Sequence, residues 1–116
     1  MDFGRLRRLL SVVADFTAVM QLAELPVGSM RACMVAGREI VLCHTREGLF
    51  ALDNTCTHAE ARLCEGRLRA TRIVCPLHGG SFDIRDGRVL GPPAERALTT
   101  HAVRIVDGAI EVALGP

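Results

Sequence analysis

The chain has 116 residues, 14 Lys plus Arg against 13 Asp plus Glu, and a formal charge of +1, which fits one domain and argues against a basic nucleic-acid surface. About half of it is apolar (49%), yet the only aromatics are four Phe, so the core must be aliphatic and base stacking has little to work with. No apolar run approaches the ~20 residues that span a bilayer.

Residues 1–16 come first. Leu6, Leu9, Leu10 and Val13 recur at helical spacing opposite Arg5 and Arg8, which predicts a short amphipathic helix or extension ahead of the domain. Basic residues before an apolar patch look at first like an export signal. Asp15 interrupts the patch and no small-residue cleavage site follows, so the expected location is cytoplasmic.

Residues 17–116 form the expected domain, and they read as β. Thr17 to Leu22 is a strand closed by the turn Leu25-Pro26-Val27-Gly28. Met30 to Val35, Ala36-Gly37-Arg38 and Glu39 to His44 read as strand, tight turn and strand. Leu49 to Leu52, Arg72 to Cys75 and Phe82 to Ile84 are further short strands. Thr99 to Val106 and Ala109 to Leu114 flank Asp107-Gly108, a dipeptide favoured in type I′ hairpins. In the last strand Ile110, Val112 and Leu114 alternate with Ala109, Glu111 and Ala113, which predicts one buried face. The fold class is therefore all-β, a small antiparallel sandwich or barrel.

Two segments break the pattern, about 53–68 and 75–83. They hold Cys56-Thr57-His58 and Cys75-Pro76-Leu77-His78-Gly79-Gly80, with sixteen residues between His58 and Cys75. Each loop offers one thiolate and one imidazole within a short span, on a sheet scaffold of the kind that usually carries sites. Thiolates select zinc, copper(I) or iron–sulfur clusters. One zinc held by two Cys and two His is chemically possible. Zinc fingers usually take both Cys from one chelate and both His from the other, whereas both pairs here are mixed. A [2Fe–2S] cluster with two Cys on one iron and two His on the other gives mixed pairs a geometric reason.

These two boxes, continuing through Ser81-Phe82-Asp83, resemble the cluster-binding boxes of the Rieske family. With Leu25-Pro26-Val27-Gly28, Ala51-Leu52-Asp53-Asn54 and Leu63-Cys64-Glu65-Gly66, the chain is similar to the Rieske-type ferredoxins of bacterial aromatic-ring-hydroxylating dioxygenase systems. The resemblance implies a sandwich base carrying a small cluster-binding subdomain. It implies Cys56 and Cys75 on the inner iron, His58 and His78 on the outer iron near the surface, and Gly91-Pro92-Pro93 as a covering proline loop. Respiratory members add a disulfide whose positions here are Ala61 and Leu77, so that bridge is missing. They also place Ser and Tyr hydroxyls against the cluster sulfurs. Gly80 and Phe82 stand there in this chain, which predicts a low reduction potential.

The other thiols and imidazoles read as structural. Five Cys is an odd number and does not suggest a disulfide scaffold. Cys33 and Cys43 are expected as core thiols on neighbouring strands, and Cys64 as a partly buried packing residue. His44 and His101 lack partners at ligand spacing and are expected at the surface or a strand edge.

A cluster ligated on all four sites leaves no position for substrate. Rieske oxygenase subunits add a mononuclear iron on two His and a carboxylate, for which only His44 and His101 remain. The expected function is thus a monomeric one-electron carrier, not an enzyme, and the resemblance implies that it passes electrons from a flavin-dependent reductase to a terminal oxygenase that hydroxylates an aromatic ring. Both histidine rings should reach the surface inside an apolar collar of Pro76, Leu77, Gly79, Pro92 and Pro93. The alternatives are a small subunit of assimilatory nitrite reductase, a donor to a diiron monooxygenase, and a structural zinc-binding module.

Overall fold

Short runs of Val, Ile, Leu and Ala, separated by turn residues, produce ten strands among the described residues. They are β1 (Thr17–Gln21), β2 (Ser29–Val35), β3 (Arg38–Thr45), β4 (Gly48–Asp53), β5 (Arg67–Arg69), β6 (Arg72–Val74), β7 (Ser81–Asp83), β8 (Val89–Gly91), β9 (Thr100–Val106) and β10 (Ala109–Ala113). The computed structural model describes residues 15–115; the amphipathic helix expected within 1–16 falls almost wholly outside them. All pairings are antiparallel, in a six-stranded sheet of order β1-β10-β9-β4-β3-β2 and a four-stranded sheet of order β5-β6-β7-β8. The all-β antiparallel architecture is the one the sequence predicts. No helix among the described residues is long and apolar enough to cross a membrane.

Two hairpins are fixed by turn chemistry. Asp107 and Gly108 both take positive φ (50° and 79°), as do Ala36 and Gly37 (50° and 80°), the conformation a two-residue type I′ loop requires. The first sets Val106 opposite Ala109, and the second sets Val35 opposite Arg38. Register follows, and with it the face each side chain occupies.

The larger sheet has two cores, one on each side of β3. Ile40 and Leu42 join Leu25, Val35, Ala51, Ile110 and Val112 in the base. Val41 and Cys43 turn the other way, toward Leu63, Ile73, Phe82, Ile84 and Leu98 of the smaller unit. All four β3 residues from Ile40 to Cys43 are fully buried, so this strand reads as a continuous apolar run without alternation. Cys33 packs on the first core and Cys43 lies in the second. Opposite faces keep the two thiols apart, and both are free.

Three details differ from expectation. The short strands β5 and β8 have three residues each, too few to show alternation, and β5 begins inside the segment expected as loop. His101 is not a surface residue: its side chain is wholly buried. Its Nε2 lies 2.9 Å from Asp53 Oδ1, and its Nδ1 accepts the Gly115 N–H at 2.8 Å. Asp53 is in turn held by Arg38 Nε and Nη2 at 2.9 and 2.8 Å, so both ring nitrogens are satisfied and the ring can be buried at little cost. His44 is half-buried and reaches the Leu25 carbonyl at 2.6 Å, tying β3 to the turn after β1.

Asp83 closes the smaller sheet. Its side chain is 3% exposed, and its carboxylate accepts bonds from Arg85 N, Nε and Nη2 at 2.9, 3.0 and 2.7 Å, with Arg88 Nη2 at 3.4 Å. Chiefly through Arg85, the carboxyl is held down at about 2. A depressed carboxyl contributes stability that is full above its unfolded value and lost as pH falls through the folded one. Asp83→Asn should therefore cost about 2 kcal/mol near neutral pH and flatten the acid limb of stability below about pH 4. Urea titrations of both proteins across that range measure it, and parallel acid limbs would refute the assignment.

Candidate metal centre

Both loops are pinned by backbone bonds before any ligand chemistry is considered. In the first, Thr55 bridges Arg62, Cys56 N–H donates to Ala61 O at 2.9 Å and Leu63 N–H donates to Asn54 O at 2.7 Å. Asn54, fully buried, is the hub. Its side-chain oxygen accepts from Cys64 N at 2.9 Å, and its amide donates to Glu39 Oε1 at 2.7 Å and Cys64 Sγ at 3.3 Å. Arg62 holds the same Glu39 through Nε and Nη2, each at 3.0 Å. The loop is thereby fastened to β3. Cys64 takes the packing position expected of it, and Asn54 is a supporting residue that its type alone did not reveal.

In the second loop Cys75 N–H donates to Gly80 O at 2.7 Å. Between them His78 and Gly79 take positive φ, 63° and 75°, which turns the chain back within three residues. His tolerates this region better than most residues, and Gly enters it freely.

The loops bring together Cys56, His58 and Cys75, whose donor atoms all lie within 4.8 Å of one another. Cys56 Sγ is 2.7 Å from His58 Nδ1. The His78 ring stands beside that of His58, centroids 6.0 Å apart and planes tilted by 60°. Both thiols are buried, His58 is half-buried and His78 is exposed. Burial pushes the Cys75 thiol up, with the neighbouring Cys56 sulfur adding to the effect and the Leu77 backbone N–H opposing it. Cys33 and Cys43, outside the group, are pushed up by burial alone to about 11 and about 12.

The two rings thus differ in exposure, whereas both were expected at the surface. Two neighbours account for it. A Cβ on Gly80 would sit 3.1 Å from His58 Cε1 and 3.3 Å from Ala94 Cβ. Thr57 Oγ1–H donates to Arg96 O at 2.7 Å, and Arg96 Nη2 donates back to Thr57 O at 3.1 Å. The segment that follows Pro92-Pro93 is therefore clasped to the first loop, beside His58. Pro76, Leu77, Gly79, Pro92 and Pro93 are all exposed.

A model of the Rieske [2Fe–2S] domain matches residues 15–102. The chain belongs to the Rieske family. It is 39% identical over 84 residues to the ferredoxin component of a naphthalene 1,2-dioxygenase system from Pseudomonas aeruginosa, covering 72% of this chain and 81% of that one. The ferredoxin of carbazole 1,9a-dioxygenase from Nocardioides aromaticivorans superposes with a TM-score of 0.83 at 32% identity, over 86% of this chain and 98% of its own. A complex of reduced oxygenase and oxidised ferredoxin in carbazole 1,9a-dioxygenase gives 0.80 at 28% identity, over 84% and 92%.

The cofactor of this Rieske chain is a [2Fe–2S] cluster, and the residues present suit it. Two thiols and two imidazoles on neighbouring loop tips are the donor set such a cluster takes. His58 Nε2 is buried without a hydrogen-bond partner, an arrangement that packing alone does not favour.

The approach of the two loops depends on Gly66. A Cβ there would lie 1.9 Å from the Val74 carbonyl oxygen and 3.2 Å from Pro76 Cδ, against backbone that cannot move aside. Gly66→Ala should cost about 3 kcal/mol or more and lower the iron bound per chain. Thermal unfolding and iron analysis would show it; unchanged values for both would mean that the strand gives way freely.

Proposed function

We propose that Cys56 and Cys75 ligate one iron of the cluster and His58 and His78 the other, and that the chain is a one-electron carrier. In this reading it accepts electrons from a flavin-dependent NAD(P)H reductase and delivers them to a terminal aromatic-ring-hydroxylating oxygenase. The observation that carries the reading is the convergence of two buried thiols with the half-buried His58 ring, beside which the exposed His78 ring stands, at the tips of adjacent loops. The named relative and the two structural neighbours are ferredoxins of such systems. The cluster supplies reversible one-electron chemistry at fully ligated iron.

The chain's own residues supply the rest. The buried cysteines keep the sulfur side away from water. His78 stands exposed at the tip, so a partner can come within a few ångströms of the outer ligands. Leu77 and the exposed prolines offer a small apolar collar, and small interfaces are normal for transient electron-transfer contacts. With every ligand supplied by protein there is no position for a substrate, so the chain is not itself an enzyme. Residues 17–116 act as one domain in a cytoplasmic monomer.

Because metal binding and local folding are coupled, His58→Ala or Cys75→Ala should yield colourless protein whose sheets still fold on their own cores. Iron analysis, visible absorption and far-ultraviolet circular dichroism distinguish the outcomes. Either variant retaining full iron and an unaltered spectrum would sink the ligand assignment.

The potential should lie near the bottom of the Rieske range, which runs from roughly −150 to +300 mV. Hydroxyl donors to the cluster sulfurs raise it by stabilising the added charge, each such bond to a charged acceptor being worth ~1.5–3 kcal/mol. Gly80 and Phe82 have no hydroxyl. Ser81 is buried, and its oxygen accepts from Arg72 Nη1 at 3.3 Å. Protein-film voltammetry at neutral pH is the measurement, and a value above about +100 mV would contradict this account.

A further inference from the structure

The hairpin β5–β6 presents an arginine face. Its register sets Arg67 opposite Val74, Leu68 opposite Ile73 and Arg69 opposite Arg72. Ile73 is fully buried and Leu68 packs on the same core. Alternation therefore puts Arg67, Arg69 and Arg72 together on the outer face, and all three are exposed. Like charges directly opposite each other across strands are destabilising; Arg72 has Asp83 opposite on its other side, in β7, whereas Arg67 and Arg69 have no carboxylate across from them. Neighbouring arginines are neutralised: Arg62 by Glu39 and Glu65, Arg85 and Arg88 by Asp83. Among the described residues Arg67, Arg69 and Arg72 make no ion pair, and Arg72 reaches only the Ser81 hydroxyl.

This face opens onto the metal centre. A groove of about 640 Å³ is lined by Arg67, Arg69, Val74, Cys75, Pro76 and Gly79. Glu65, its one carboxylate, is held by Arg62 at 3.5 Å. One wall is thus two unpaired guanidiniums, and the other is the loop carrying Cys75 and His78.

We propose that this groove docks a carboxylate-bearing surface of the electron-transfer partner, with Arg67 and Arg69 as its anchors and Arg72 adding to the field. The inference rests on the carrier reading above and adds to it the chemistry of the surface recognised. Arginine suits the task, since its planar fork pairs carboxylates bidentately. A cationic wall beside the cluster loop also steers an acidic partner into the orientation in which the loop tip faces it. The near-zero net charge of the chain does not oppose this, because screening makes the local field decisive within ~10 Å.

The test uses reduced holo-protein in stopped flow, oxidised by ferricyanide, a trianion, or by hexaamminecobalt(III), a trication. Oxidation by ferricyanide should slow about tenfold as salt rises from about 20 to about 300 mM, while oxidation by the cobalt complex should not slow. The double variant R67E/R69E should lose about tenfold of the low-salt ferricyanide rate, with the absorption spectrum unchanged, whereas R67K/R69K should keep most of it. A deca-aspartate peptide should inhibit wild type and not R67E/R69E. Equal ferricyanide rates in wild type and R67E/R69E, or equal inhibition of both by the peptide, would overturn the proposal. Failure of the carrier reading looks different: wild type would then lack the visible spectrum, or would not be reoxidised by either complex.

Discussion

Four donors on two loops, sixteen residues apart, have to meet at the tips of chain segments that have little regular secondary structure of their own. Each loop solves this by hydrogen bonding to something already rigid. Asn54 is the main fastening: one buried amide satisfies Cys64 N–H and the Glu39 carboxylate, while its backbone carbonyl takes Leu63 N–H. A buried amide with several partners costs much if broken, because the unpaired groups cannot turn to water. Cys56 is two residues from this hub, so the thiol inherits its rigidity. The second loop is fixed more economically, by the Cys75–Gly80 backbone bond and the left-handed pair His78-Gly79.

Beneath the loops, β3 joins the two halves of the molecule. Its neighbouring residues Ile40 and Val41, then Leu42 and Cys43, face alternate cores. Movement of this strand would disturb both at once, and close-packed interiors resist such shifts. Glu39, the first β3 residue to reach the site, is bonded to both Asn54 and Arg62. Asp53, at the end of β4, is locked by Arg38 of β3 and His101 of β9. The metal centre therefore rests on three adjacent strands, each anchored by a polar contact at its loop-facing end.

What could be read in the sequence follows from what is local. Asp107-Gly108 and Ala36-Gly37 set their hairpins through their own dihedrals, and Ile110 and Val112 showed their buried face by alternation. Cys56-Thr57-His58 and Cys75-Pro76-Leu77-His78 were legible because each is a complete chelating pair. The elements that escaped reading depend on partners far along the chain. His101 is buried only because Asp53 and Gly115, at distances of 48 and 14 residues, satisfy its two nitrogens. The inner half of the His58 environment depends on Gly80, Ala94 and Arg96. Strands β5 and β8 are three residues long and gain their identity from pairing with β6 and β7.

Charge distribution follows the same rule, and net charge conceals it. The count of 14 basic against 13 acidic residues describes a neutral chain, yet the pairing is uneven in space. Carboxylates concentrate where they have structural work: Asp53 and Asp83 under arginine clamps, and Glu39 beneath the first loop. Each clamp uses up nearby cations, so the free positive charge remains along β5 and β6, where the one facing carboxylate, Asp83 opposite Arg72, is already engaged by Arg85 and Arg88. That hairpin carries only two core-facing side chains, Leu68 and Ile73, and its outer face is free of packing demands. An arrangement with Arg69 directly across from Arg72 therefore imposes a local electrostatic cost that neither core requires, on the strand leading straight into Cys75.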